Sequence, residues 1–493
     1  MTGRRSVLTV VSMLILFLIC SCDLFHLKVV WEEEKDLSGF VLSVDGGSVE
    51  LTCPAVNSAA HYRWYLEEVQ VHDGQTYAAE AFAEPAVRSY TCVVTGSSDE
   101  ILFTKEYVLA YTGLPTVYVN TKSGDKIASR NEYVDADIRI LKADGTEDLN
   151  SECTVKGRGN SSWFDHEKKG MNFKLPSKSK VLGMKKSKKW SVISNDTDSS
   201  MMGNWFASYI GRTIFNSGAE WEPKYEFVNL VVNGDYAGCY VIAESIKIEG
   251  NRVDIPDIAE LTKDPENDNN GDGKVDLYDG GFIMEVSFNG RGNTTATMYG
   301  AHLNFKDPDL DEVEGDWTRK AIAEHATQVV NRFEAALFGD SGADYRDYLD
   351  VPSFIDWYLV NEFMGNFEAG FLTSTYFYYN PADGKIHMGP NWDFDKTILF
   401  LGNEVVTGRE RNYWFRELVR DPAFVAALKD RWNSKKAGLE DAFDILADKF
   451  HDIDAAREMN DRRWNRQDGA TESRVLQWLG SKMEWMDSYI ESL

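Results

Sequence analysis

A short break, Gly113-Leu-Pro115, separates two kinds of periodicity and therefore two kinds of core. Before it, residues 41–44, 48–52, 61–65, 89–94 and 102–109 alternate apolar and polar side chains. Successive side chains on a strand point to opposite faces, so the pattern predicts half-buried strands and an all-β unit over 22–112. After the break, strands at 117–120 and 133–141 alternate with long helical stretches. Residues 318–338 place Ile322, Ala326, Val329, Val330, Phe333 and Leu337 on one helical face, and Gly339 stops the run. Further helices are expected over 345–364, from Trp414 onward and over 475–493, the last with Leu479, Met483, Met486 and Ile490 as core. The 493 residues exceed what one simple core supports. The fold class is therefore α+β, a mixed domain over 116–493 behind an all-β one.

Charge narrows the function. With 52 Lys and Arg against 79 Asp and Glu, the formal charge of −27 sets the chain against nucleic acid. It suits an exported, cation-tolerant surface protein. Apolar content of 43% and 14 Trp indicate packed cores and exclude a disordered chain. Arg4-Arg5 precede residues 7–19, apolar apart from Thr9 and Ser12, the length of a signal peptide core and too short to span a bilayer. Ile19-Cys-Ser-Cys22 resembles a bacterial lipobox. That resemblance implies cleavage after Ser21 and a lipid on Cys22. The protein would then be anchored to the cell membrane or outer membrane, facing outside the cytoplasm, without spanning it.

In the all-β part, Cys53, Trp64 and Tyr90-Thr-Cys92 resemble an immunoglobulin-type core. The resemblance implies a Cys53–Cys92 disulfide, with two free buried thiols as the alternative. This unit reads as a spacer or binding domain.

In the mixed part, Thr375-Tyr-Phe-Tyr-Tyr379 reads as a buried strand and Asp383-Gly384 as a hairpin turn. The return strand runs into Gly389-Pro-Asn-Trp-Asp-Phe-Asp395, where Asp393 and Asp395 can both reach a hard cation; a turn cap with one solvated carboxylate is the plainer reading. Gly157 and Gly159 let backbone N–H groups approach an anion, with Arg158 and Asn160 beside them. Lys168, Lys169 and Lys174 cluster just downstream in an otherwise acidic protein.

Taken together, Lys156-Gly-Arg-Gly-Asn-Ser-Ser-Trp163, Lys168-Lys-Gly-Met-Asn-Phe-Lys-Leu175, Asn195-Asp196, Ala243-Glu-Ser-Ile-Lys247, Gly280-Gly-Phe-Ile-Met-Glu285 and the Asp393-x-Asp395 hairpin resemble the CotH kinase family, in family order. The resemblance covers roughly residues 116–493. It implies an atypical protein-kinase fold, with an N-lobe to about 260 and a C-lobe from about 280. It implies ATP and Mg²⁺ or Mn²⁺, and phosphate transfer to Ser or Thr of an exported protein or cell-surface partner. Carried onto this chain, Lys174 holds phosphate with Glu244 as its partner, and Asp393 and Asp395 hold the metal. Two departures stand out. Glu368, in Gly365-Asn-Phe-Glu368, occupies the place of the family's acceptor-side Asp, adding about 1.5 Å of reach. Gly203 stands where the family often carries Arg. Both leave open a weak or inactive kinase-like adhesin or scaffold.

Between the lobes, Asp268, Asn270, Asp272, Lys274, Asp276 and Asp279 fall at the ligand positions of an EF-hand-type loop, with Gly273 at the turn. A structural Ca²⁺ tying the lobes together is the expectation, and a solvated acidic loop is its alternative. Cys153 and Cys239 fall in predicted strands, either paired or free.

Overall fold

The computed structural model describes residues 39–216, 221–263, 276–287, 294–407, 412–467 and 469–493. Cys22 and the loop positions Asp268, Asn270, Asp272 and Lys274 lie outside the described residues. Asp276 and Asp279 lie within them, and among the described residues no three His, Cys, Asp or Glu side chains gather around a single ion position.

The alternating segments before Thr112 form a five-stranded sheet in the order Phe40–Leu42, Ile101–Tyr111, Ala86–Thr95, His61–Leu66, Val69–Asp73. A ribbon of Val49–Thr52 and Thr76–Ala79 contributes to the same core, where Leu51 and Ala79 meet Trp64, Tyr90 and Cys92. Sequence reasoning missed Val69–Asp73 and Thr76–Ala79. Val69–Asp73 is exposed on both faces, so burial imposes no pattern on it. The expected Cys53–Cys92 bridge is corrected: both are buried free cysteines. The two side chains hydrogen-bond to each other, and burial raises the pKa of each thiol.

Beyond Pro115, seven strands close into a barrel. They are Thr116–Thr121, Val134–Leu141, Glu147–Arg158, Gly170–Ser179, Ser187–Ile193, Tyr225–Val232 and Asp235–Glu244. Closure removes the free edges of the sheet. The barrel has its own core, including Val117, Ile138, Val155, Phe173 and Trp190. Met171, Phe173 and Leu175 point inward, so Asn172 and Lys174 take the outer face of their strand.

The second half of the mixed domain is a five-stranded sheet with Phe282–Ser287 at its centre, between His302–Asp307 and Thr375–Asn380. Helices Asp316–Leu337 and Val351–Met364 share its apolar core, with Pro422–Asp452 and Glu472–Ser492. Helix Val351–Met364 is buried at every residue from Ser353 to Met364. Such a helix lies at the centre of a core, not on its surface. It starts six residues later than the periodicity predicts. Asp350 accepts the Ser353 N–H at 2.8 Å as a cap, and Pro352 occupies the first turn. The helix ends at Gly365, which is left-handed at φ 62°, and so delivers the Glu368 loop.

The all-β part packs on the rest of the described chain, with strands Ala86–Thr95 and Ile101–Tyr111 against helix Asp454–Trp464. Residues Ser38–Leu493 form one compact unit. Ala110, Tyr236 and Met459 share a small apolar cluster, and the Asn229 amide donates to Thr112 Oγ1 at 2.7 Å. Among the described residues, no helix is long and apolar enough to cross a membrane.

Candidate active site

Asp393 has a left-handed backbone, φ 68°, a conformation Asp tolerates better than most residues. Ser374 Oγ donates to its Oδ2 at 2.8 Å. Asp395 Oδ2 accepts from Thr197 Oγ1 at 2.6 Å. Glu368 faces the same space, and its Oε2 is buried without a hydrogen-bond partner. Burial and the charges of Asp393 and Asp395 raise the Glu368 pKa. Burial and Asp393 do the same to Asp395.

A chain of side-chain amides sets the spacing between these groups. Asn366 Oδ1 accepts the Glu368 N–H at 3.1 Å, and Asn366 Nδ2 donates to Asn361 Oδ1 at 2.9 Å. Asn361 Nδ2 donates to Asn391 Oδ1 at 2.9 Å. The Asn391 N–H and its side-chain amide each donate to Glu222 at 2.8 Å. The loop carrying Glu368 and the loop carrying Asp393 are thus tied through the end of helix Val351–Met364.

The carboxylates lie in a cavity of about 510 Å³ that is also lined by Gly157, Arg158, Gly159, Asn160, Lys306 and Lys396. A neighbouring cavity of about 890 Å³ shares Lys156, Asn172, Ser191, Lys306 and Trp392 with it. Glu285 also lines the smaller cavity, and its Oε1 accepts from Thr373 Oγ1 and the Ser374 N–H. Both volumes are in the range of small-molecule sites.

A family model described as CotH kinase protein matches residues 155–486. The chain belongs to the CotH kinase family. No curated protein matches it. The CotH match starts in strand Glu147–Arg158 and ends in helix Glu472–Ser492, so it takes in both walls of the cleft and leaves the all-β part out.

Within the CotH region, the structure brings Gly157, Arg158, Gly159 and Asn160 to the cleft with Glu368, Asp393 and Asp395. It does not bring the other N-terminal candidates there. Lys174 lines neither cavity. Lys168 is buried, donating to the Ser194 and Cys239 carbonyls at 2.7 and 2.6 Å. Burial lowers its pKa to about 8. Lys169 donates to the Trp163 carbonyl, bracing the turn after the glycines. Glu244 accepts the Lys224 N–H at 3.1 Å and lines neither cavity. The Gly157 N–H is taken by the Ser129 carbonyl at 2.8 Å, so it is not offered to an anion. Gly157 serves packing: a Cβ there would lie 2.1 Å from the Trp163 ring.

The cleft cations that sequence reasoning missed are Arg130, Lys306 and Lys396. Lys396 directly follows the Asp393-x-Asp395 motif and was within reach of a sequence reading. Lys306, in His302–Asp307, carries no local signal. Gly203 is no vacancy for a cation. A Cβ at this position would lie 2.1 Å from the Phe394 carbonyl oxygen.

The donor set suits a hard divalent cation. It consists of the carboxylate oxygens of Asp393 and Asp395, hard ligands that line one cleft. Mg²⁺ keeps several of its waters, so two carboxylates are enough to hold it.

Proposed function

We propose that the protein transfers the γ-phosphoryl group of ATP to a serine or threonine of an exported protein, assisted by Mg²⁺ or Mn²⁺. The observation that carries this reading is the convergence of Glu368, Asp393 and Asp395 in one cleft with Arg158, Lys306 and Lys396. The larger cavity takes the base and ribose, and the smaller one takes the phosphates. Arg158 and Lys306 bind phosphate oxygens. Ser374 and Thr197 orient the carboxylates of Asp393 and Asp395, which hold the cation. A cation bound there neutralises charge on the phosphoryl group in transfer. Glu368 Oε2, buried and lacking a donor, accepts the hydrogen bond and then the proton of the acceptor hydroxyl. Its raised pKa suits proton transfer near neutral pH. A lipid on Cys22 would hold this site outside the cytoplasm, where the partner is exported or at the cell surface.

The second reading is an inert kinase-like scaffold, favoured by Glu368 in the family's Asp position, because about 1 Å of misplacement can cost ~100-fold in rate. The test is label transfer from ATP by the full chain with Mg²⁺ or Mn²⁺ and an unstructured serine-rich acceptor. Transfer that is raised in Glu368→Asp supports an attenuated kinase. Nucleotide binding without transfer supports the scaffold, and no nucleotide binding removes the kinase reading.

A second test separates the lysines. Lys306→Met is expected to weaken binding of a fluorescent ATP analogue by ~10-fold or more, the worth of one charge-assisted hydrogen bond. Lys174→Met is expected to leave it within about twofold, as for a surface charge pair. The reverse order would return the phosphate contact to Lys174.

A further inference from the structure

The geometry points to Thr197 as a positioning residue for the metal site, fixed in place by a clamp on its neighbour Asp196. The inference rests on the reading of Asp393 and Asp395 as metal-holding carboxylates.

Thr197 has one hydroxyl proton. Its Oγ1 lies 2.6 Å from Asp395 Oδ2 and 3.3 Å from the Asp395 carbonyl. Asp395 lines the same cleft as Asp393 and Glu368. A hydrogen bond to one oxygen sets the plane of the carboxylate and keeps it turned toward the cleft it lines.

Thr197 can do this because both of its neighbours are tied down by hydrogen bonds. Asp196 directly precedes it and is almost completely buried in an ion-pair clamp. Arg466 Nη1 donates to the Asp196 carbonyl at 2.8 Å, while Nη2 donates to Asp196 Oδ1. His166 Nδ1 lies 2.8 Å from Asp196 Oδ2. On the other side, Asp198 accepts the Ser200 and Gly203 N–H groups at 2.8 and 2.7 Å. The hydroxyl therefore projects from a segment held at both ends.

The clamp also reaches beyond the cleft. Arg466 follows helix Asp454–Trp464. Arg463 Nε and Trp464 Nε1 of that helix donate to the barrel carbonyls of Tyr236 and Ala237 at 2.9 and 3.0 Å. Arg462 donates to Ser89 Oγ of the all-β part. The residue that clamps Asp196 thus directly follows a helix that bonds both the barrel and the all-β part.

The experiment measures Mn²⁺ binding to the full chain by electron paramagnetic resonance, without nucleotide. Thr197→Val removes the donor at nearly constant volume and is expected to weaken Mn²⁺ binding by ~10-fold or more, the usual loss for an outer-shell partner. Thr197→Ser restores the hydroxyl and is expected to stay within about threefold of the unaltered protein. Arg466→Met, which leaves Thr197 in place but opens the clamp, is expected to weaken binding by a smaller factor. A melting curve shows that each variant is folded. Rescue by serine separates positioning from packing, since a merely structural loss of the methyl environment would not follow the hydroxyl. Unchanged Mn²⁺ affinity in Thr197→Val overturns the proposal and leaves the metal reading standing. Absence of Mn²⁺ binding by the unaltered protein overturns the metal reading, and this proposal with it.

Discussion

Asp393→Asn is expected to lower phosphate transfer by ~10²–10³-fold or more, the scale for losing one preorganised electrostatic group at a reacting centre. The same substitution is expected to raise the melting temperature of the metal-free protein. Asn tolerates the left-handed backbone at φ 68° nearly as well as Asp, so no strain is added. Its side-chain oxygen can still accept the Ser374 hydroxyl, which lies 2.8 Å from the native carboxylate. What disappears is one negative charge facing Glu368 and Asp395, whose pKa values it helps to raise. The unaltered protein should gain stability on adding Mn²⁺, because a ligand that binds only the folded state shifts the equilibrium toward it. Asp393→Asn should lose most of that gain. Activity and apo stability moving in opposite directions would mark a functional carboxylate, one that costs the fold something when no cation is bound. Transfer retained above about a tenth of the unaltered rate would place the catalytic charge elsewhere.

The parts of this site that could be read from sequence share one property. They are short, contiguous and polar in an apolar setting. Asp393 and Asp395 alternate with the buried Trp392 and Phe394, and Gly157 to Asn160 lie at the end of a strand of alternating pattern. The position of Glu368 followed from the helix that ends at Gly365. Contacts between distant segments could not be read this way. The hydrogen bond from Thr197 to Asp395 spans 198 positions, and Arg466 reaches Asp196 across 270. Lys168 and Lys174 illustrate the opposite error. Composition groups them as one basic cluster, but two-residue alternation and the turn before Gly170 send them to different places. Lys168 turns into the protein to satisfy two carbonyls, whereas Lys174 shares its strand face with Asn172 yet lies outside both cavities. Closure of the seven strands into a barrel was equally hidden, because each strand's pattern specifies a buried face and not a partner.

Gly203→Arg introduces the side chain that the sequence resemblance implies at this position, and it is expected to inactivate the protein instead of improving it. Gly203 is the first residue of helix Gly203–Thr213, and its N–H is held by Asp198 Oδ2 at 2.7 Å. Any Cβ there would lie 2.1 Å from the Phe394 carbonyl, 2.9 Å from Thr397 Oγ1 and 3.0 Å from Asp198 Oδ2. The nearest of these is backbone and cannot rotate away, so the helix end and the Asp393-x-Asp395 loop must part. Asn204, the next helical residue, accepts the Phe394 N–H at 2.9 Å, so separation also breaks the bond that seats the loop. Overpacking of this kind costs ~1–3 kcal/mol, and more where backbone must move. Movement of the loop by about 1 Å would cost ~100-fold in rate by itself. Gly203→Ala introduces the same Cβ without the charge. If the steric account is right, Ala and Arg lower Mn²⁺ affinity, melting temperature and transfer together, with Arg the worse. If instead Arg improves nucleotide binding while Ala is harmless, Gly203 is a lost phosphate contact and the close approach of helix and loop is not needed for function.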